Sequence, residues 1–105
     1  AANLIQKYPN LKAIYACNDT VALGALQAVA NANKTGKIIV VGTDGAPEAK
    51  DSIKQGKLSA TVAQDPGMIG ATSLNILLDA LKNKPQISPD VAAQEIPVES
   101  NLISQ

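Results

Sequence analysis

The chain has 105 residues with nine basic and nine acidic side chains, a formal net charge of zero, no histidine and one cysteine, a length that suits one domain burying about two thirds of its unfolded surface. The charges are interspersed and Tyr8 and Tyr15 are the only aromatic residues, so phosphate tracking and base stacking lack their usual means and no nucleic-acid partner is expected. With no histidine and with Cys17 alone in an apolar run, disulfides, zinc clusters and histidine-dependent acid–base catalysis are set aside.

Short β-branched runs alternate with longer stretches whose apolar residues recur at three and four, the pattern of βαβ units. The expected fold class is therefore α/β, a three-layer α/β/α arrangement around a parallel sheet. Residues 2–8 read as the end of a helix with Leu4, Ile5 and Tyr8 on one side, stopped by Pro9 and Asn10 before a strand over Ala13–Cys17. Asp19 or Thr20 is placed to cap a helix over about 20–32, in which alanines and Gly24 permit close packing on a sheet. Gly36 ends that segment. Ile38–Val41 is a continuous apolar run of the kind a strand buried on both faces requires, followed by a turn over Gly42–Gly45.

A short helix over 47–55 has Pro47 in its first turn and Gly56 where a left-handed cap would sit. A third strand is expected over 58–63. Asp65 and Pro66 then open a helix reaching about Asn83, whose Leu74, Leu77, Leu78 and Leu81 form a stripe that calls for burial. Beyond Lys84, the prolines at 85, 89 and 97 leave room for one edge strand over 93–98. Cys17 is expected to be a small buried apolar residue. No apolar stretch approaches the roughly 20 residues of a membrane span, and AANLIQKYPN lacks the regions of an export signal.

Three apolar runs end in a hydrogen-bonding residue at the same point: AIYAC before Asn18, IIVVGT before Asp44, and SATVA before Gln64. If the runs are adjacent parallel strands, these side chains emerge along one sheet edge, where open α/β folds bind ligands. A carboxylate only accepts, while primary amides donate and accept, so the trio suits a ring of hydroxyls such as a polyol or sugar. A hydrogen bond to a charged group contributes about 1.5–3 kcal/mol net, which makes Asp44 the expected chief determinant. A plainer reading has Asn18 and Asp19 capping the next helix, Asp44 in an Asp-Gly turn and Gln64 in solvent. A third has Asp19, Asp44 and Asp65 gathering magnesium in a small metal-dependent α/β enzyme. GTDG follows a strand, but neither G-x-G-x-x-G nor G-x-x-x-x-G-K-[ST] occurs, so no nucleotide site is expected.

The segments AIYACNDTVALGALQAV, IIVVGTDGAPEAKDSIKQGKLSATVAQDP and MIGATSLNILLDAL resemble the last third of periplasmic sugar-binding proteins of bacterial ABC importers, the ribose- and allose-binding group of the type I periplasmic binding proteins. The resemblance runs from about Leu11 to Leu81. It implies that Asn18, Asp44 and Gln64 bind sugar hydroxyls, that the partners are a monosaccharide and a membrane permease, and that the location is the periplasm, with no catalysis and no cofactor. TDGAPEA looks nearer to allose binders than to ribose binders, whose usual aromatic before the Asp is here Thr43. Repressors of the lactose-repressor type share the fold and similar "ND" and "VxGxD" segments, and remain the alternative.

Such proteins are two-lobed and much longer, and the aromatic residues and arginine that sandwich their sugar have no counterpart in a chain without Trp, Phe or Arg. By resemblance, residues 1–64 are part of the carboxy-terminal lobe, 65–98 belong with the amino-terminal lobe, and 99–105 form a final crossing. A carboxy-terminal fragment of this kind is expected to have an exposed sheet edge and an orphan apolar helix, and to self-associate or swap the helix at 67–83.

Overall fold

The computed structural model describes residues 1–85 and 88–105, which divide into two units, Ala1–Gln64 with Ser100–Gln105 and Asp65–Glu99. The elements run α1 (Ala2–Lys7), β1 (Ala13–Tyr15), α2 (Asp19–Asn31), β2 (Ile39–Asp44), α3 (Pro47–Lys54), β3 (Ala60–Ala63), α4 (Pro66–Asn83) and β4 (Asn101–Ser104). The alternation of strands and helices expected from periodicity is therefore observed.

In the first unit β1, β2 and β3 pair in parallel in chain order, and β4 joins β3 antiparallel. Successive right-handed crossovers in one direction place α2 and α3 on the same face of the sheet. That face holds the core: Val40 and Leu58 are buried with Ala22, Ala25 and Val29 of α2 and Ala49 and Ile53 of α3. The alanines keep α2 close to the strands. Burying each of Leu58, Val40 and Val29, all at most 2 % exposed, is worth about 1.5–3 kcal/mol.

The register puts Tyr15, Ile39 and Leu102 on the opposite face, where they are 70 %, 54 % and 69 % exposed. Helices cover one side of this unit's sheet, and the third layer of the expected arrangement is not part of it. Ile38 and Val40 are buried while Ile39 is exposed and Val41 half-buried, so this run is not buried on both faces. Cys17, expected in the core, is exposed, because it continues the side of β1 that carries Ala13 and Tyr15. β2 runs on through Gly42 to Asp44 and the turn begins at Gly45. The left-handed cap expected at Gly56 is present, with φ 70.

In the second unit Asp65 Oδ1 accepts from the Met68 amide at 2.9 Å, Pro66 opens α4, and Lys84 closes it with φ 43. No residue of α4 is buried, and Leu74, Leu77, Leu78 and Leu81 are exposed. A single helix followed by irregular chain supplies no second layer for the stripe. Residues 92–99 carry no regular structure, and the edge strand expected over 93–98 is found instead at 101–104, beyond the last proline, where every amide can enter the ladder.

Candidate functional site

The carboxyl ends of the parallel strands carry the polar residues. After β1 the chain continues with the Ala16 amide bonded to the Val41 carbonyl at 2.9 Å, then turns into α2 through Asn18. Asn18 is the N-cap, extended at φ −152 and ψ 167, and its Oδ1 accepts from the Val21 amide at 2.8 Å. The cap expected of Asp19 or Thr20 thus falls one residue earlier. Capping occupies only Oδ1; the Asn18 Nδ2 has no partner among the described residues.

Asp44 closes β2 with φ 115 and its side chain is exposed. A residue with a Cβ held at such an angle costs about 1–3 kcal/mol and persists only where its surroundings impose it. Gln64, just past β3, does part of this: its Nε2 donates to Asp44 Oδ1 at 2.9 Å and its amide to the Asp44 carbonyl at 3.3 Å. Asp44 and Gln64 are therefore joined, and Asn18 stands at the end of the neighbouring strand without a bond to either. Together the three offer carboxylate and amide acceptors beside an amide donor, which hydroxyls can meet in both senses.

Beneath this edge lies a network that the sequence reading missed. Asp19 is 2 % exposed; its Oδ2 accepts from the Ala46 amide at 2.7 Å and its Oδ1 from the Thr61 hydroxyl at 2.7 Å. Thr61 Oγ1 in turn accepts from the Gly45 amide at 3.2 Å. The carboxylate sits at the first turn of α2, the favourable end of the helix dipole for an anion. Room for it exists because residue 42 is glycine: a Cβ there would strike Asp19 Oδ1. Both Asp19 oxygens are engaged by protein donors, and among the described residues no three His, Cys, Asp or Glu side chains gather, so Asp19 does not offer the magnesium ligand expected of it. A second omission is Tyr15, whose hydroxyl lies 3.0 Å from Thr43 Oγ1; Thr43 also donates to the Ala16 carbonyl at 3.4 Å.

A groove of about 690 Å³ between α2 and α3, floored by Leu26, Val29 and Ile38, contains none of the three residues. Its lining includes Ile38 and Lys57, which precede β2 and β3, so it lies toward the opposite end of the strands from the polar edge. The edge, where hydrogen-bonding groups converge at strand carboxyl ends, is the better candidate. Among the described residues no helix is long and apolar enough to cross a membrane.

Residues 1–85 match the family model "Periplasmic binding protein domain". The chain is 52 % identical over 105 residues to a D-allose-binding periplasmic protein of Escherichia coli K12, covering all of this chain and 34 % of that protein. It is 48 % identical over 83 residues to a ribose import binding protein of Bacillus subtilis, covering 78 % of this chain and 26 % of the relative. A crystal structure of an ABC transporter periplasmic solute-binding protein from Actinobacillus succinogenes, with D-allose bound, superposes with TM-score 0.75 at 36 % identity over 98 % of this chain and 34 % of that one. The chain thus spans about a third of these relatives' length. With four mostly parallel strands, a polar edge at their carboxyl ends and a family model matched from residue 1 to residue 85, the chain belongs to the periplasmic binding protein domain family.

Proposed function

We propose that the chain is the part of a solute-binding protein that helps capture a monosaccharide, allose- or ribose-like, for ABC import, with Asn18, Asp44 and Gln64 bonding the sugar hydroxyls. The observation that carries this reading is the Asp44–Gln64 pair, a carboxylate fixed by an amide at 2.9 Å at the strand ends, with the Asn18 Nδ2, which has no partner among the described residues, just past the end of the adjacent strand. The relatives named above are described as binding D-allose or importing ribose, which favours the transporter branch over a repressor or an enzyme. On this reading the location is the periplasm and the second partner is a membrane permease. Residues 65–98 then belong with the other lobe of a longer two-lobed protein, and the uncovered stripe of α4 gives copies of this chain a means of self-association or helix exchange. A monodisperse monomer in concentrated solution by light scattering overturns that last element alone.

The test is amide NMR of the labelled chain titrated with D-allose, ribose and galactose. Sugar-specific shifts at Asn18, Asp44 and Gln64, half-saturating at about a millimolar or above because the chain spans a third of its relatives, support the reading. Equal small shifts with every sugar, or shifts clustered in the groove between α2 and α3, refute it.

A further inference from the structure

Asp19 turns away from the exposed edge, yet both of its bonds bear on the turn that carries Asp44. Its Oδ2 holds the Ala46 amide at 2.7 Å, and through Thr61, 2.7 Å from Oδ1, it orders the hydroxyl that holds the Gly45 amide at 3.2 Å. The two amides that follow Asp44 are thus pinned to a buried pair, 2 % and 0 % exposed, standing on α2 and β3. On the other side Thr43 is fixed in the ladder opposite Val62. Asp44, itself the last ladder residue of β2 opposite Ala63 and bonded through its carbonyl to the Gln64 amide at 3.3 Å, lies between these anchors, so its dihedrals are set by its surroundings rather than by its own preference, which is how a residue with a Cβ keeps φ at 115.

We propose that Asp19, acting with Thr61, is a positioning residue that fixes the backbone of Asp44 and with it the direction in which that carboxylate meets the ligand. The proposal rests on the sugar-binding reading of Asp44. The carboxylate is needed because two donors converge on it and it accepts from both, with the short, strong bonds that charge gives. Thr61 is needed because one hydroxyl must donate to Asp19 while accepting from Gly45. Serine can do both, and valine of the same shape can do neither. Asn at position 19 keeps one acceptor and turns a donor toward the Thr61 hydroxyl.

The experiment follows Asp44 in the isotope-labelled 105-residue chain. A residue at positive φ gives a strong intraresidue amide-to-Hα Overhauser signal, which ordinary loss of stability does not remove while the chain stays folded. Thr61→Val is expected to lose that signal at Asp44 with the Val40 and Leu58 resonances in place, and Thr61→Ser to keep it. At a fixed millimolar D-allose concentration the sugar-induced shifts at Asn18 and Gln64 are expected to shrink several-fold in Thr61→Val and not in Thr61→Ser. If the unsubstituted chain shows no allose shifts, the sugar reading fails by itself and the Asp44 signal still decides the positioning role. A folded Thr61→Val or Asp19→Asn chain with the Asp44 signal unchanged overturns the proposal. If Thr61→Val does not fold, hydrogen exchange in the unsubstituted chain decides: protected Gly45 and Ala46 amides support the pinning, and exchange as fast as that of an exposed amide overturns it.

Discussion

Gly45→Ala is the sharpest probe of the turn that presents Asp44. Gly45 has φ 74, and a Cβ built on it would lie 2.5 Å from Ala63 Cβ and 2.9 Å from Ala63 Cα. The left-handed conformation costs a residue with a Cβ roughly 1–2 kcal/mol. The overlap falls on the backbone of β3, which cannot swing aside like a side-chain tip, and overpacking of this kind costs about 1–3 kcal/mol. Loss of glycine's extra freedom in the unfolded chain returns about 0.4–1 kcal/mol. The net expectation is a loss of about 2–4 kcal/mol out of the roughly 5–15 typical of a domain. Urea unfolding followed by far-UV circular dichroism should show the midpoint falling by about 0.7–4 M at unchanged slope, for slopes of about 1–3 kcal/mol/M. In an Ala63→Gly background the methyl–methyl clash is gone while the overlap with the β3 backbone and the unfavourable dihedral remain, so the penalty should shrink by about 1 kcal/mol, read as a coupling energy. A loss below about 1 kcal/mol for Gly45→Ala, or a penalty that ignores Ala63, would refute the argument that β3 forbids a side chain here.

Asn18→Ala should lose the N-cap and about 0.5–2 kcal/mol in thermal unfolding. Asn18→Asp keeps an acceptor for the Val21 amide and so keeps that stability, but both variants lack the Nδ2 donor and should lose the allose-induced shift at Gln64; intact sugar shifts in Asn18→Asp would remove Asn18 from the site. Leu58 is 0 % exposed, so Leu58→Ala should cost about 2–5 kcal/mol by denaturant unfolding; a cost near that of a surface change would mean that the core is not centred between α2, α3 and the sheet.

The order of elements is legible because Ile38–Val41, Ala60–Ala63 and the three-and-four spacing of the helices are local patterns. The edge trio is legible for the same reason, since each residue directly follows a strand-like run. What depends on pairing across the sequence is not. Asp19 reads as a routine cap, and only the fold brings it to Thr61, 42 residues away; the available signal is an Asp beside a strand that includes a glycine, Gly42, on its inward side. The end of β2 is hidden because Gly42 looks like a turn residue, whereas its missing Cβ makes room for the Asp19 carboxylate. Cys17 and Ile39 read as core residues because apolar character says nothing about which sheet face is covered. β4 escapes notice because NLIS is short and pairs antiparallel with a strand far back in the chain.

The Asp44 backbone is tied to the first unit's core through Gly45, Ala46, Thr61 and Asp19, and its carboxylate to Gln64, so on the proposed reading little ordering is needed when a sugar arrives and each contact retains more of its free energy. That rigidity limits what it can do in a two-lobed binding protein carrying this chain. A ligand drives closure only through contacts that are better in the closed state than in the open one, and on the proposed reading a carboxylate already in place would bond the sugar in both. Closure must then be driven by groups that reach the sugar only when the lobes meet. Asp44→Asn in such a protein is accordingly expected to weaken sugar binding by roughly tenfold, the loss of about 1.4 kcal/mol when a charge-assisted bond becomes a neutral one. At saturating sugar the closed fraction, followed by small-angle scattering, should match that of the unsubstituted protein. A saturated Asp44→Asn protein that stays open would mean that Asp44 contributes more to the closed state than to the open one, and that its fixed geometry is completed only by the second lobe.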